Sequence, residues 1–269
     1  MVSDSDFNVG RFLLFPGRRL CGLLFKLEPR RGILEELSDI SFKAGAVELY
    51  VNFSMPFTGE SIMSGVVFLD STNMNISVDD LAEKMRSVSG VKSIKIIKPT
   101  VEGLIADYMN HRLMLAGERA IIIRRSIYAG ISKRMREQFG TAGEAFLFHL
   151  GHNAGMEYGK SHLEMAKKLG ISDPAEIIKS VNLPLFSAVG FGRPEIIEIT
   201  THPSFKAIVR VYDCFECETG MESKKPYSQF TRGMLAGYLS SLLNKRVLVE
   251  ETECIAKGDP YCELTATQV

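Results

Sequence analysis

The stretch from 237 to 264 constrains the fold most, because one short segment predicts a helix, two strands and a tight turn. Apolar residues at helical spacing precede a β-branched run at 247–249, which is typical of a strand. The sequence KGDP at 257–260 predicts a turn, since glycine accepts a positive φ and proline has no amide to give to a ladder. That turn brings Cys254 and Cys262 back towards each other.

Thiolate and carboxylate side chains at this spacing suit a tetrahedral zinc ion. Glu251 lies on the same hairpin, and Cys214 and Cys217 form a C-x-x-C upstream. We predict one closed, structural zinc site built from Cys254, Cys262 and Cys217, with Glu251 or Cys214 as the fourth ligand. Strand alternation turns the C-x-x-C thiols to opposite faces, so only one of them is expected to bind unless the strand ends between them. The alternative is a cluster of buried thiols without an ion.

The same region resembles the C-terminal signature of the 4-vinyl reductase domain, a small-molecule-binding module. The residues that carry the resemblance are Gly233, Gly237, Tyr238, Val247, Glu251, Cys254, Gly258, Asp259 and Cys262. The domain also occurs as the sensor of bacterial activators that respond to aromatic compounds, and it is distantly related to subunits of a vesicle-tethering complex. In the aromatic sensors the zinc ligands include a cysteine at the start of the preceding helix, where this chain has Ser228. The resemblance implies a small hydrophobic or aromatic ligand, over about residues 119–269.

Composition excludes several classes of function. The 269 residues are 45% hydrophobic and carry 32 basic and 32 acidic side chains, so the net charge is zero. Without a long basic run or a helix-turn-helix pattern, direct binding to nucleic acid is not expected. No apolar run has the length of a membrane span, and acidic residues stand where a secretory signal would carry positive charge. With cysteines in close pairs, this indicates a cytoplasmic protein.

The chain before residue 118 predicts a separate domain. Residues 1–19 form an N-terminal arm, and residues 20–99 have the strand and helix order βαββαβ of a ferredoxin-like domain. Residues 100–117 carry an apolar stripe from Leu104 to Met114 that predicts a linking helix, and 118–269 form the second domain. The predicted class is therefore α+β: a ferredoxin-like domain followed by an α/β domain with helices packed on an antiparallel sheet.

Two segments of the first domain, LEPRRGIL at 27–34 and VSGVKSIKII at 88–97, resemble the ACT domain, an amino-acid-sensing module. The resemblance implies an amino-acid ligand. Arg30 and Arg31 would face its carboxylate at the helix N-terminus that Gly32 opens. The alternative is that both arginines are solvated loop charges and the domain serves for dimerisation. ACT domains commonly pair, and an apolar linking helix would need cover, so a homodimer is expected.

A glycine repeat marks the helical pattern of the second domain. Gly151, Gly155 and Gly159 recur every four residues, and each costs about 1 kcal/mol relative to alanine inside a helix. The repeat therefore indicates close approach of another element or of a ligand. We expect the ligand pocket between this helix and the sheet. The aromatic residues expected to line it are Phe148, Phe186, Phe215 and Phe230.

The chain contains no nucleophile elbow, Walker loop, dinucleotide fingerprint or H-E-x-x-H motif. The favoured hypothesis is a small-molecule-sensing regulatory protein, with a hydrophobic or aromatic ligand in its C-terminal domain and an amino acid as the candidate ligand of its N-terminal domain. A regulatory protein partner would read the result. One alternative is an enzyme or accessory protein of vinyl-group reduction in tetrapyrrole metabolism. The other is a scaffold or dimerisation protein.

Overall fold

The computed structural model describes residues 6–56, 59 and 61–269, and the chain separates into two compact units, the second of which begins at Ile123. The elements of the first unit are β1 (Phe12–Leu14), β2 (Leu20–Leu27), α1 (Ile33–Lys43), β3 (Val47–Ser54), β4 (Met63–Asp70), α2 (Val78–Arg86), β5 (Val91–Ile97), β6 (Leu104–Ala106), β7 (Leu113–Leu115) and β8 (Glu118–Ala120).

The first unit has the predicted βαββαβ order, and its four-stranded antiparallel sheet runs β3-β4-β2-β5. Alternate residues of the central strand β2 explain its burial on both sides. Leu23 and Leu27 pack beneath α1 and α2, whereas Leu24 belongs to a second apolar cluster on the opposite face. The start of α2 is also as expected, since Ser77 Oγ accepts the Asp80 amide at 3.0 Å.

The prediction of a linking helix at 100–117 is wrong. Gly103 has φ +78°, and the residues after it form β6, which pairs with β1 on the second face of the sheet. Ile105 is fully buried there, so the apolar residues alternate as a strand requires. The remainder is the hairpin of β7 and β8, joined at Ala116 and Gly117, both of which have positive φ.

The second unit combines helices with a second antiparallel sheet. Its elements are α3 (Arg125–Phe139), α4 (Thr141–Lys168), α5 (Pro174–Ile177), a π-helical segment (Ile178–Asn182), α6 (Leu183–Ala188), β9 (Arg193–Thr200), β10 (Lys206–Tyr212), α7 (Gln229–Leu243), β11 (Val247–Glu253) and β12 (Cys262–Gln268). The strand order is β11-β12-β10-β9, and alternate residues of β10 and β12 are buried with the inner face of α7. The predicted α+β class, with helices packed on an antiparallel sheet, is confirmed. Within the described residues, none of the helices has the length and hydropathy that a membrane crossing requires.

The glycine repeat of α4 lies against α7. A Cβ atom on Gly155 would lie 2.7 Å from the Tyr238 amide nitrogen and nearer still to the Met234 carbonyl oxygen. On the other side of the contact, a Cβ atom on Gly237 would lie 2.8 Å from the His152 carbonyl carbon. The repeat is therefore explained by close packing of two helix backbones, and the close approach involves another element.

Candidate metal centre and aromatic cluster

The turn between β11 and β12 fixes Cys254. Its backbone amide donates to Asp259 Oδ2 at 2.7 Å, and its carbonyl oxygen accepts the Lys257 amide at 2.9 Å. A short 3₁₀ turn then ends at Gly258, whose φ of +104° favours glycine. The predicted KGDP turn thus returns the chain to Cys262, the first residue of β12.

The C-x-x-C segment leaves the sheet before either cysteine. Strand β10 ends at Tyr212, Asp213 has φ +53°, and a 3₁₀ turn begins at Cys217. Strand alternation therefore does not separate the two thiols, and both Cys214 and Cys217 are buried.

Four side chains converge at this point: Cys217, Glu251, Cys254 and Cys262, with ligand atoms all within 4.8 Å of one another. The Sγ atoms of Cys217 and Cys254 are 3.6 Å apart, and Cys217 Sγ lies 3.7 Å from Glu251 Oε1. Around a tetrahedral zinc with Zn–S bonds of about 2.3 Å, two sulfur atoms are separated by about 3.8 Å. The donor types and spacing fit such an ion. Cys214 lies beside this group and not within it.

The surroundings of Glu251 leave one of its carboxylate oxygens towards the thiols. Its Oε2 atom accepts the Ser228 backbone amide at 3.1 Å, so Oε1 faces Cys217. Burial first, and then the neighbouring charge of Cys254, raises the pKa of Glu251 to about 8. Hydrogen bonding from the Cys217 thiol lowers the pKa of Cys254. A divalent cation at this position would compensate the negative charge of the donors.

Sequence reasoning missed Glu216, a carboxylate almost completely buried between the two cysteines of the C-x-x-C. It caps α7 from outside the helix, accepting the Phe230 amide at 3.1 Å and the Thr231 amide at 2.8 Å. Arg136 of α3 pairs with it at 3.0 Å and stacks over the Tyr227 ring, 3.7 Å from its centroid. Burial is the main cause that raises the pKa of Glu216. Its main partner is 80 residues away along the chain, so the local sequence carried no signal.

Half-buried rings form what we call the aromatic cluster, which consists of Tyr128, Phe186, Phe191, Phe215 and Phe230. Neighbouring ring centroids are separated by between 5.3 Å, for Phe186 and Phe191, and 6.5 Å, for Phe191 and Phe230. The structure thus brings together three of the four predicted aromatic residues, Phe186, Phe215 and Phe230. Phe191 joins them, although its place among glycines in the sequence indicated no lining role. Phe148 lies apart on α4, under the Arg232 guanidinium at 4.7 Å.

Polar atoms at this cluster lack partners. The Tyr128 hydroxyl and Thr231 Oγ1 are buried without a hydrogen-bond partner in the described part of the chain. Tyr128 lies close to the Glu216 carboxylate but outside hydrogen-bonding geometry. Burial, followed by the charge of Glu216, raises the pKa of Tyr128. Two buried hydroxyls beside half-exposed rings are the kind of lining that holds a small ligand with one polar group.

The predicted amino-acid site of the first unit has a different character. Gly32 has φ +82° at the start of α1, as its place before the helix requires. The Arg30 guanidinium forms a two-point pair with Glu36, at 2.7 and 2.6 Å, and donates to the Ser89 carbonyl oxygen at 2.8 Å. Arg31 is exposed. One of the two arginines is therefore already paired with a carboxylate of the chain, and binding of an amino acid stays a prediction.

Comparison with known families places a 4-vinyl reductase domain in the C-terminal region, with residues 207–268 matched. This confirms the resemblance to that domain for this part of the chain. Curated relatives include the uncharacterized protein MJ1642 of Methanocaldococcus jannaschii, 26% identical over 129 residues, which cover 48% of this chain and 67% of the relative. The uncharacterized protein MJ0150 of the same organism is 27% identical over 172 residues, which cover 63% of this chain and 87% of the relative.

Among solved structures, the chain resembles the phenol-responsive sensory domain of the transcription activator PoxR in complex with phenol. The TM-score is 0.53 at 17% identity, and the match covers 58% of this chain and 79% of that domain. At this level of identity the likeness concerns the fold.

Proposed function

We propose that the protein is a small-molecule-sensing regulatory protein whose second unit binds a hydrophobic or aromatic ligand at the aromatic cluster. The observation that carries the proposal is the meeting of five half-buried rings with two buried, unpartnered hydroxyls. The match to the 4-vinyl reductase domain and the likeness to a phenol-responsive sensory domain support it. Apolar walls with few polar groups are typical of small-molecule sites.

The cluster joins elements that are distant in sequence. Tyr128 belongs to α3, Phe230 to α7, and Phe191 to the segment between α6 and β9. A ligand that packs against these rings would hold the three elements together, and its polar group would bond to the Tyr128 hydroxyl or to Thr231 Oγ1. Binding would thus stabilise one arrangement of the unit, which a regulatory protein partner could read.

The test begins with native mass spectrometry of the full chain, followed by calorimetric titration with phenol and with toluene. We expect phenol to bind more tightly than toluene, since only phenol can satisfy a buried hydroxyl. Phe191→Ala should weaken binding about tenfold or more, corresponding to about 1.4 kcal/mol. The matched control is Phe146→Ala, which removes an exposed ring of α4 outside the cluster.

No co-purified ligand, together with no binding of either probe, would overturn this proposal. Equal loss in both phenylalanine variants would also contradict it. Turnover of a vinyl substrate with a reductant would favour the enzymatic alternative.

We further propose that the second unit holds one structural zinc through Cys217, Cys254, Cys262 and Glu251. Three thiols and one carboxylate close a tetrahedral shell and leave no position for a catalytic water. When bound, the ion would supply a cross-link between the β11–β12 hairpin and the turn after β10. Glu251 is already held by the Ser228 amide, which orients it for this role.

Metal content distinguishes this site from a cluster of packed thiols. The wild type should contain one zinc per chain, and Cys217→Ser, Cys254→Ser or Cys262→Ser should lose it together with several kcal/mol of stability. Cys214→Ser should retain the ion, because Cys214 lies outside the group of four. Cys21→Ser, which changes a buried thiol of the first unit, is the matched control. A metal-free wild type would refute the proposal.

For the first unit, an amino acid would have to exchange with Glu36 for the Arg30 guanidinium. If it does, the right amino acid should raise the melting temperature by mass action, and the Arg30→Ala, Arg31→Ala double variant should abolish the shift. A screen of the common amino acids without a shift would favour the dimerisation role.

A further inference from the structure

The face of the first sheet that does not pack on α1 and α2 has two distinct halves. At one end it is covered by β1 and β6, and the apolar side chains there form a buried cluster with Phe68 and Ile97. At the other end the loop after β6 overhangs the sheet and leaves a cavity of about 170 Å³. The cavity is lined by Leu24, Phe25, Lys26, Ser64, Ser93, Lys95, Met109 and Asn110.

The register of the sheet places polar side chains in two neighbouring rows of this cavity. Lys26 of β2 stands directly between Ser64 of β4 and Ser93 of β5. The next row on the same face sets Leu24 opposite Lys95. The two ammonium groups therefore come from diagonal positions on adjacent strands, where like charges repel.

The cavity contains no carboxylate to balance these charges. Lys26 donates to Ser64 Oγ at 2.7 Å, and within the described residues neither Lys26 nor Lys95 forms an ion pair. The nearest carboxylate of the overhanging loop, Asp107, is already used. It pairs with Arg11 at 2.7 Å and accepts the backbone and side-chain N–H groups of Asn110, each at 3.0 Å.

The same contacts make the loop a fixed wall. Arg11 also donates to the Asn110 carbonyl oxygen at 3.0 Å, so the loop is tied to the strand β1 segment by several bonds. Met109 and Leu24 add apolar surface beside the ammonium groups. The cavity therefore combines two cations, two hydroxyls and a small apolar wall.

From this geometry we propose that the open face of the first sheet binds a small anion, a carboxylate or a phosphate, through Lys26 and Lys95, with Ser64 and Ser93 as hydrogen-bond donors. The volume admits a molecule of several heavy atoms and not only a single water. An apolar substituent on the anion would lie against Leu24 and Met109. This site is separate from Arg30 and from the aromatic cluster, so its failure leaves the proposed function untouched.

The experiment is calorimetric titration of the full chain with inorganic phosphate and with propionate at constant ionic strength. We expect at least one of the two to bind, and the Lys26→Gln, Lys95→Gln double variant to weaken that binding about tenfold or more. The matched control is Lys43→Gln, Lys84→Gln, which removes the same charge from exposed positions on α1 and α2.

The relative affinity of the two probes identifies the anion class. Because the double variant removes mutual repulsion, it should be at least as stable as the wild type without ligand, so loss of binding would not reflect unfolding. Failure of both probes to bind, binding that survives the double variant, or equal loss in the control would overturn the assignment.

Discussion

Replacing Gly155 by alanine tests the contact between α4 and α7 most directly. In an open helix the substitution stabilises, since alanine is favoured over glycine by about 1 kcal/mol. Here the new methyl group would lie 2.7 Å from the Tyr238 amide nitrogen, whereas ordinary contact begins near 3.4 Å. The helices would have to separate by about 0.7 Å at this atom, and further at the Met234 carbonyl oxygen.

The cost follows from which atoms collide. Overpacking of a core costs about 1–3 kcal/mol, and the upper end applies because backbone atoms of α7 cannot rotate away as a side chain can. Separation would also loosen the neighbouring contacts at Gly151 and Gly159. We expect a net loss of about 3 kcal/mol, which for a chain of this size lowers the melting temperature by about 6–12 °C.

Gly130→Ala is the matched control. Gly130 lies in the exposed part of α3, and in the described part of the chain no atom falls within 4 Å of its added Cβ atom. This variant should therefore gain up to about 1 kcal/mol. Differential scanning calorimetry of both variants measures the two shifts, which should have opposite signs. A neutral or stabilising Gly155→Ala would show that the helices do not pack at this distance.

Three further predictions concern single interactions. Arg136→Met should destabilise by about 3–5 kcal/mol because it leaves Glu216 buried without its cation, whereas Arg134→Met at an exposed pair should change stability by less than about 1 kcal/mol; urea unfolding measures both. Burial lowers the pKa of His162 below its usual 6.5, so protonation favours the unfolded chain and stability should fall as the pH drops below 6.5; His162→Gln should flatten this dependence. The chain should be a homodimer by light scattering, and a monomer at micromolar concentration would contradict this.

The parts of the fold that could be predicted from the sequence are those whose signals are local. The hairpin that carries Cys254 and Cys262 depends on a glycine and a proline within four residues, and the helix cap at Ser77 depends on its own first turn. The βαββαβ order follows from the alternation of short apolar runs. In each case the residues that determine the structure are neighbours in the chain.

The parts that could not be predicted depend on distant contacts. Leu104 and Ile105 fit a helical stripe as well as a strand, and only pairing with β1, about 90 residues earlier, decides between them. Glu216 takes its role from Arg136 and from the start of α7. Phe191 and Tyr128 likewise join the aromatic cluster through tertiary packing.

The zinc proposal makes a last prediction about Ser228, the helix-start position at which the aromatic sensors have a cysteine. Ser228 is fully buried, its Oγ atom lacks a partner among the described residues, and its amide binds Glu251. Its side chain therefore lies at the edge of the same site, where Cys217 has entered from the turn after β10.

If Cys217 replaces the missing helix-start ligand, the two positions should be interchangeable. Cys217→Ser alone should lose the ion, and Ser228→Cys in that background should restore both one zinc per chain and much of the lost stability. Ser223→Cys in the same background adds a thiol outside the site and should restore neither. Metal analysis and thermal unfolding of the three variants measure this directly. A Cys217→Ser protein that keeps its zinc, or a Ser228→Cys addition without effect, would show that the helix start and the C-x-x-C do not serve the same ion.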